Sequence, residues 1–392
     1  MAQTKLNVEE LKGFIKYVVG NNKYIQEKGK IPTAIAVTGD AGLGKTSSIL
    51  AVGEELDLEV VKINLTQIEE LGDLVGFPYK EFEMKKQEGN ITKWVPESLM
   101  ETYIKAKYVP TSRNRMSYAA PEWIEGKSDG GILLLDDFNR ADNRFIQAAM
   151  ELIDRQTYIS WKLPKNWHIL LSQNPDNGDY NVNSQDIAQT TRYISVEVKF
   201  DADVWAKWAE SAGLDNRCIN FILMNPESIT KEVNSRAATT FFNAISSIEK
   251  FEEQLPLIQM IGEGSVGDEF SSMFTMFINN KMDKIISPKE ILTNPSESYV
   301  TGALNSCIGK DDDFRADISS IISTRIVNYA LVMASKGPVD QKVTDRIIKL
   351  VTDCDSFTDD LRYYIVKELL AGNKVKFAGL MRNTQVMKMS LK

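Results

Sequence analysis

The sequence has few of the residues that bind structural metals. It contains one histidine, His168, and three cysteines that lie far apart, Cys218, Cys307 and Cys354. None of them shows the close spacing typical of zinc sites, and an odd number of scattered cysteines is typical of thiols in a reducing compartment. We therefore expect neither a zinc site nor a disulfide framework.

The sequence also lacks a long apolar segment. No apolar run is long enough to span a bilayer, and the first residues are polar, without the apolar region of a signal peptide. These features predict a cytoplasmic protein without membrane contact. With 392 residues, of which 43% are hydrophobic and 26% charged, the chain has an ordinary globular composition and is long enough for two or three domains.

Positive charge is in short supply. The 46 Lys and Arg residues are outnumbered by 54 Asp and Glu residues, which gives a formal net charge of -8. Nucleic-acid phosphates are bound by dense Lys and Arg, so this balance argues against a protein that wraps nucleic acid. It leaves room for a local basic channel.

The order of apolar segments predicts an α/β fold. Five short, β-rich segments separated by helical patterns indicate strands at 34–37, 59–65, 132–135, 167–171 and 193–198. Strands that alternate with helices favour a parallel sheet with helices on both faces. After Asp201 helical patterns dominate. We therefore predict an α/β domain over 1–200, a helical lid over 201–292 and a helical C-terminal region over 293–392.

The strongest motif lies between the first predicted strand and the helix after it. It has the form GxxxxGK[ST], followed by Ser47, and consists of Gly39, Asp40, Ala41, Gly42, Leu43, Gly44, Lys45 and Thr46. In such a loop the backbone amides close around phosphate oxygens at the positive end of a helix. Lys45 would neutralise phosphate charge, and the Thr46 hydroxyl would join a magnesium shell. The motif predicts a site for ATP and Mg²⁺; no guanine-reading Asn-Lys-x-Asp stretch stands in a suitable loop.

The third predicted strand ends in two carboxylates. Asp136 stands where an acid that orders magnesium is needed, and Asp137 where a carboxylate can orient or deprotonate the attacking water. An apolar run that ends in two acids is, by itself, more typical of a strand leaving the core. Together with the phosphate loop, the catalytic interpretation is the better one.

From Asp136 onward the sequence DDFNRA resembles the MoxR-like AAA+ ATPases, a branch that includes the CbbQ, NorQ and GvpN proteins and their dynein-related relatives. The resemblance extends roughly from Leu6 to Ile291, and its order and spacing are more specific than any one piece. The further stretches that match are DLVG at 73–76, SQNP at 172–175, AQTTRY at 188–193 and NSRA at 234–237.

The resemblance implies a P-loop NTPase fold and a role for several polar residues. Asn174 would hold the attacking water, Arg192 would reach the γ-phosphate in a neighbouring subunit, and Arg236 would sense nucleotide from the lid. An Asn-Pro turn is the alternative for Asn174, and a plain surface arginine is the alternative for Arg192 and Arg236. Arg140 is a further candidate for a ring interface, with a surface arginine as the equal alternative.

The resemblance also implies a homo-oligomeric ring, usually a hexamer, that hydrolyses ATP to remodel a protein client, often with a von Willebrand factor A-type adaptor. Two alternatives stay open: a nucleic-acid motor, which the acidic composition disfavours, and an ATP-gated assembly protein that barely hydrolyses. The second is kept open by Asp137, because the family usually has the longer glutamate there. Displacing a catalytic group by ~1 Å can cost about a hundredfold in rate, so we expect slow turnover.

The segment 77–129, between the second and third predicted strands, is unusually long. By resemblance it is expected to carry an insert with loops that face a central pore. Within it, KWVP at 93–96 is the best candidate for a substrate-contacting loop, since aromatic side chains grip peptides by apolar contact. Simple packing of Trp94 is the equal alternative.

Overall fold

The computed structural model describes residues 4–87, 91–279, 285–309 and 313–390. The chain separates into two compact units, Met1–Lys199 and Phe200–Lys392. Each unit has hydrophobic clusters of its own.

The first unit contains strands and helices in alternation. Numbered along the chain, its strands are β1 (Thr4–Leu6), β2 (Ala34–Thr38), β3 (Glu59–Asn64), β4 (Pro78–Lys86), β5 (Thr92–Pro96), β6 (Tyr108–Tyr118), β7 (Gly131–Asp136), β8 (Thr157–Tyr158), β9 (Trp161–Lys162), β10 (Trp167–Gln173) and β11 (Tyr193–Val198). Its helices are α1 (Val8–Glu27), α2 (Lys45–Glu55), α3 (Leu71–Val75), α4 (Met100–Lys105), α5 (Asn143–Arg155) and α6 (Ile187–Thr190).

Six of these strands form one sheet, in the order β1-β11-β2-β10-β7-β3. All neighbouring pairs in this sheet are parallel. The five strands predicted from the sequence are all present in it, so the predicted parallel sheet is confirmed. The short strand β1, at the edge beside β11, was not predicted.

Helices cover both faces of this sheet, as predicted. On one face α1 and α2 contribute Leu11, Ile15 and Ile49 to a core shared with the strands. On the other face α5 contributes Phe145 and Leu152 to a second core. Because both faces are covered, β7 and most of β10 read as continuous apolar runs, GILLLD and WHILLSQ, and are buried throughout.

The long insert forms a separate three-stranded antiparallel sheet in the order β5-β4-β6. The candidate loop at 93–96 lies inside β5, so the prediction of a loop there is wrong. The guanidinium groups of Arg113 and Arg115 lie 5.7 and 4.5 Å from the centre of the Trp94 ring, so Trp94 packs against β6, and its contact with a substrate stays a prediction. Residues 88–90 of the insert lie outside the described residues.

Among the described residues, helices are the regular secondary structure of the second unit, which confirms the helical part of the predicted fold class. Its helices are α7 (Ala202–Ala212), α8 (Asn216–Met224), α9 (Ser235–Ala244), α10 (Leu255–Asn279), α11 (Pro288–Thr293), α12 (Glu297–Ile308), α13 (Ala316–Lys336), α14 (Gln341–Asp353), α15 (Asp359–Asn373) and α16 (Thr384–Ser390). Helix α10 is kinked at Gly267, whose φ of 82° lies outside the helical range.

Two hydrophobic clusters organise the helices of the second unit. Helices α7 to α10 surround an aromatic cluster in which the rings of Phe221 and Phe241 each contact the Phe274 ring edge-on. Helices α11 to α16 form the other cluster, which includes Ile291 and Leu292. A boundary drawn on this packing lies before residue 285, whereas the sequence analysis placed it after residue 292. The separation into a lid and a C-terminal region stays a prediction.

Among the helices that the structure describes, α13 is long and apolar enough to cross a membrane by length and composition. However, 72% of its apolar window is buried inside the protein. Its buried residues include Ile322 and Ile326, which pack into the cluster of the later helices. This burial makes α13 a central core helix of the second unit.

Candidate functional site

The predicted site residues meet where four parallel strands end. Strand β2 leads into the phosphate loop, β7 ends at Asp136, Asn174 follows β10, and β3 ends at Asn64. The carboxyl ends of parallel strands share one edge of the sheet, which is where ligands bind in open α/β sheets. The register places Asn64 directly beside Asp136.

The backbone of the phosphate loop is shaped to hold an anion. Gly42 and Gly44 have φ angles of 81° and 80°, and Gly44 precedes α2 without any side-chain cap. Left-handed glycines of this kind turn successive amides toward one concave point. Gly39 lies against β11, and a Cβ added to it would be 2.9 Å from the carbonyl oxygen of Val198. The loop therefore fits phosphate, and glycine is needed at its start.

The ammonium of Lys45 stays inside this loop. Lys45 is only 7% exposed, and its Nζ donates to the carbonyl oxygens of Gly39 and Asp40 at 2.6 and 2.9 Å. Its Nζ also lies 3.5 Å from Oδ1 of Asn174. A buried ammonium that points into a loop at the start of a helix is placed to meet a phosphate oxygen, so this arrangement fits a phosphate group.

The other loop residues have different surroundings. The hydroxyl of Tyr180 accepts from the amide of Ala41 at 3.1 Å and donates to Oδ1 of Asp40 at 3.3 Å, which ties the segment after β10 to the loop. Leu43 packs into the core under α1 and α2. Ser47 is exposed on α2. The contact of Tyr180 with the loop was not predicted from the sequence.

The carboxylate of Asp136 is held by hydrogen bonds and an ion pair from three side chains. The Thr46 hydroxyl donates to Oδ1 at 3.1 Å, and the Lys62 ammonium lies 2.9 Å from Oδ2. Burial by itself raises the pKa of Asp136, but hydrogen bonds from Lys62, Ser172 and Thr46 outweigh it and hold this pKa below its ordinary value. Asp136 is therefore ionised at neutral pH, as a magnesium ligand must be. The contact of Lys62 with Asp136 was not predicted from the sequence.

Asp137 occupies an unusual backbone conformation beside Asp136. Its φ and ψ are 52° and 35°, a left-handed conformation that aspartate adopts more readily than most residues. Its Oδ1 accepts from the side-chain amide of Asn174, and its Oδ2 accepts from the side-chain amide of Asn64, each at 3.4 Å. The two amides hold the carboxylate between the ends of β3 and β10.

Asn139 fixes the position of Asn174. Its Nδ2 donates to the backbone carbonyl oxygen of Asn174 at 2.7 Å, and its Oδ1 accepts from the backbone amide of Asn174 at 3.1 Å. Both residues are almost completely buried. This reciprocal pair gives Asn139 a positioning role, which was not predicted from the sequence.

The three predicted arginines differ in whether they contact this cluster. Nη1 of Arg140 lies 4.0 Å from Oδ1 of Asp137, so this side chain faces the site. Within the described residues, Arg192 contacts Asp154 at 3.6 Å and the Ala188 carbonyl oxygen at 3.2 Å. Arg236 lies exposed on α9 in the second unit. The nucleotide-sensing roles of Arg192 and Arg236 stay predictions.

No protein-family model matches the chain, and no curated protein matches its sequence. Among solved structures, it is similar to the RuvB Holliday junction branch migration motor of Thermotoga maritima, with a TM-score of 0.36 and 13% identity over 78% of this chain and 85% of that one. A RuvB mutant from the same organism gives a TM-score of 0.35 and 14% identity, with coverage of 81% and 89%.

A protein named "putative ATPase" from Cytophaga hutchinsonii gives a TM-score of 0.31 and 13% identity, with 86% of each chain covered. Similarity at this level carries no argument about function. The fold class of this chain rests instead on its own sheet order and on the phosphate loop between β2 and α2.

Proposed function

We propose that the chain binds ATP with Mg²⁺ and hydrolyses it. The observation that carries this proposal is the convergence of Lys45, Thr46, Asp136, Asp137 and Asn174, which come from three separate segments, at one edge of the sheet. A phosphate loop alone binds anions. Two acids and an amide beside it add the groups that a hydrolytic reaction requires.

Each part of this cluster has a distinct task in the proposed reaction. The loop amides and the start of α2 bind phosphate oxygens, and Lys45 exchanges its loop carbonyls for them. Thr46 and Asp136 would hold Mg²⁺, which when bound neutralises charge on the phosphate oxygens. The two protein oxygens already lie within hydrogen-bonding distance of each other, which suits a shared cation.

Asp137 is the group proposed to orient and deprotonate the attacking water. Its carboxylate lies near the buried amide of Asn174, which would fix the same water from the other side. The long contacts of 3.4 Å to Asn64 and Asn174 are weak enough to be exchanged for a water. Asn139, through Asn174, keeps this arrangement in place.

We further propose that subunits form a ring and share their sites, with Arg192 acting on the neighbour's nucleotide and Arg236 sensing nucleotide from the lid. The support for Arg192 is its exposure: its side chain is 38% exposed and its ion pair with Asp154 lies at the surface. Surface pairs of this kind contribute only ~0–1 kcal/mol, so Arg192 can leave Asp154 for a stronger partner. Arg140 is proposed to face the same interface.

A protein client, in the manner of the MoxR-like ATPases, suits the surface of the insert better than nucleic acid does. Leu99, Ile104 and Met116 are each about half exposed there, and exposed apolar side chains favour protein contacts. The arginines at positions 113 and 115 are paired with Glu83 and Glu81 and offer little net positive charge. A von Willebrand factor A-type adaptor and a cytoplasmic location are proposed on the sequence resemblance alone.

The test of the proposed activity is phosphate release from ATP with Mg²⁺, together with binding of a fluorescent ADP derivative. Lys45→Ala is expected to lose binding, and Asp137→Asn to keep binding while losing about a hundredfold or more in rate, as expected for a general base. Lys127→Ala is the control, because this lysine pairs with Glu59 at the other end of β3. Failure of the unmodified protein to bind nucleotide, or full activity of Lys45→Ala, contradicts the proposal.

A further inference from the structure

Lys62 occupies an unexpected position beside the predicted magnesium ligand. It lies in β3, paired in register with Leu134 of β7, two residues before Asp136. Residues two apart on a strand point to the same face, so the Lys62 side chain extends along the sheet toward the carboxyl edge. There its Nζ lies 2.9 Å from Oδ2 of Asp136.

The contact uses a carboxylate oxygen that a divalent cation also needs. Thr46 and Ser172 also donate to this carboxylate, and the Lys62 ammonium is the positive charge that lies against its Oδ2. A cation at the Thr46–Asp136 pair would stand within a few ångströms of the Lys62 ammonium. Like charges at such a distance repel, so the ammonium and the cation compete for Asp136.

Lys62 is free to withdraw when a cation arrives. Its side chain is 42% exposed, whereas that of Asp136 is 11% exposed. Among the described strands, β3 is the last of this sheet and pairs with β7 on one side. A long, flexible lysine stem on such an edge can move its ammonium into solvent at little cost, whereas Asp136 is fixed by the strand and by Thr46.

We propose that Lys62 is a tethered counter-ion, which neutralises Asp136 while the site holds no metal and which Mg²⁺ has to displace. This inference rests on the proposed function of the site. Lys62 favours the arrival of an anionic nucleotide without metal, because it adds a positive charge beside the phosphate loop. For the same reason it opposes the metal, so the two ligands are less strongly coupled than in a site without this lysine.

Neutralising Lys62 should therefore change two quantities in opposite directions: the affinity for metal-free ADP, and the gain in ADP affinity that Mg²⁺ produces. The affinity for metal-free ADP falls, because a positive charge near the phosphates is lost. The gain in ADP affinity on adding Mg²⁺ rises, because the competitor for Asp136 is gone. From the strength of partly exposed ion pairs, we expect each change to be roughly threefold to tenfold.

The experiment measures the dissociation constant of a fluorescent ADP derivative in EDTA and again at saturating Mg²⁺. The ratio of the two constants reports the coupling between metal and nucleotide, without any turnover. Lys62→Met and Lys62→Gln are compared with Lys62→Arg, which keeps the charge. Lys127→Met is the matched control, since it also removes one positive charge, the partner of Glu59, which lies in β3 like Lys62.

We expect a ratio roughly threefold to tenfold higher in both neutral variants, and an unchanged ratio in Lys62→Arg and Lys127→Met. An unchanged or lower ratio in the neutral variants overturns the role of Lys62 while the proposed function stands. If the ratio rises in Lys127→Met by the same factor, the effect comes from net charge, and the role of Lys62 is overturned as well. Absence of ADP binding by the unmodified protein in both conditions is the separate result that defeats the proposed function, and Lys62's role with it.

Discussion

Replacement of Arg325 by methionine is expected to destabilise the second unit by about 3–5 kcal/mol. Arg325 lies in α13, and its guanidinium forms an ion pair of 2.7 Å with Glu210 of α7. The two side chains are only 2% and 7% exposed. The guanidinium also donates to the side-chain oxygens of Asn216 and Asn220, so it links α13 to both α7 and α8.

The magnitude follows from what the substitution leaves behind. When one partner of a buried ion pair is removed, the other charge stays desolvated without compensation, which typically costs about 3–5 kcal/mol. Methionine retains most of the apolar volume of the arginine stem, so the cavity contribution is small. Adding Glu210→Gln to Arg325→Met removes the stranded charge and is expected to restore a large part of the loss.

Urea unfolding of the full chain, followed by tryptophan fluorescence and circular dichroism, measures this change. The matched control is Arg315→Met, because Arg315 pairs with Asp317 at the start of the same helix and both side chains are nearly half exposed. That control should lose less than about 1 kcal/mol. A similarly small loss in Arg325→Met, or a double variant no more stable than Arg325→Met, would refute the reasoning.

Three further predictions concern the first unit. Asp137→Glu is expected to hydrolyse ATP faster, by up to about a hundredfold, because the longer side chain reaches ~1 Å further; equal rates in the two proteins contradict this. Burial, with a smaller contribution from Lys23, lowers the pKa of His168 to about 4. The unfolded chain therefore takes up a proton at His168 more readily than the folded chain, and the stability that the neutral ring contributes above pH 6.5 is lost as the pH falls toward 4. Between pH 7 and pH 5 the loss from this group is about 2 kcal/mol, and urea unfolding of His168→Gln should show a correspondingly smaller loss. Gly39→Ala should weaken ADP binding about tenfold or more, because the added Cβ would meet the Val198 carbonyl oxygen and displace the loop; unchanged affinity counts against the loop geometry.

The parallel sheet could be predicted because burial on both faces leaves a simple trace in the sequence. Strands β7 and β10 appear as continuous apolar runs between helical segments, and their ends were placed within one or two residues. Strand β1 has no such trace, since its three residues lie at the sheet edge and two are exposed. Its parallel pairing with β11 can be seen only in three dimensions.

The sheet of the insert was missed for a different reason. Its strands carry many charged residues, and cross-strand contacts between distant residues satisfy some of them. Glu81 of β4, for example, accepts from Arg115 and Ser117 of β6. A charged segment whose partners lie more than 30 residues away resembles a solvated loop when each segment is considered alone. The loop interpretation of 93–96 had another source, the family resemblance and the aromatic Trp94.

The central site residues could be predicted because the motifs lie directly after apolar strands. The residues that the sequence analysis missed depend on register and on loop paths. Lys62 reaches Asp136 only because β3 pairs with β7, and Tyr180 reaches the phosphate loop through an irregular segment. One signal was available for Asn64: a polar residue at the end of a predicted strand, in a fold where strand ends meet.

The most direct test of the account is steady-state ATP hydrolysis measured against protein concentration, for the parent chain and for Lys45→Ala and Arg192→Ala. The account predicts specific activity that rises with concentration and loss of turnover in both variants, with ADP still bound by Arg192→Ala. Activity that is independent of concentration, with normal turnover in Arg192→Ala, would contradict the shared site and leave a self-contained nucleotide switch. Normal turnover in Lys45→Ala would contradict the site itself.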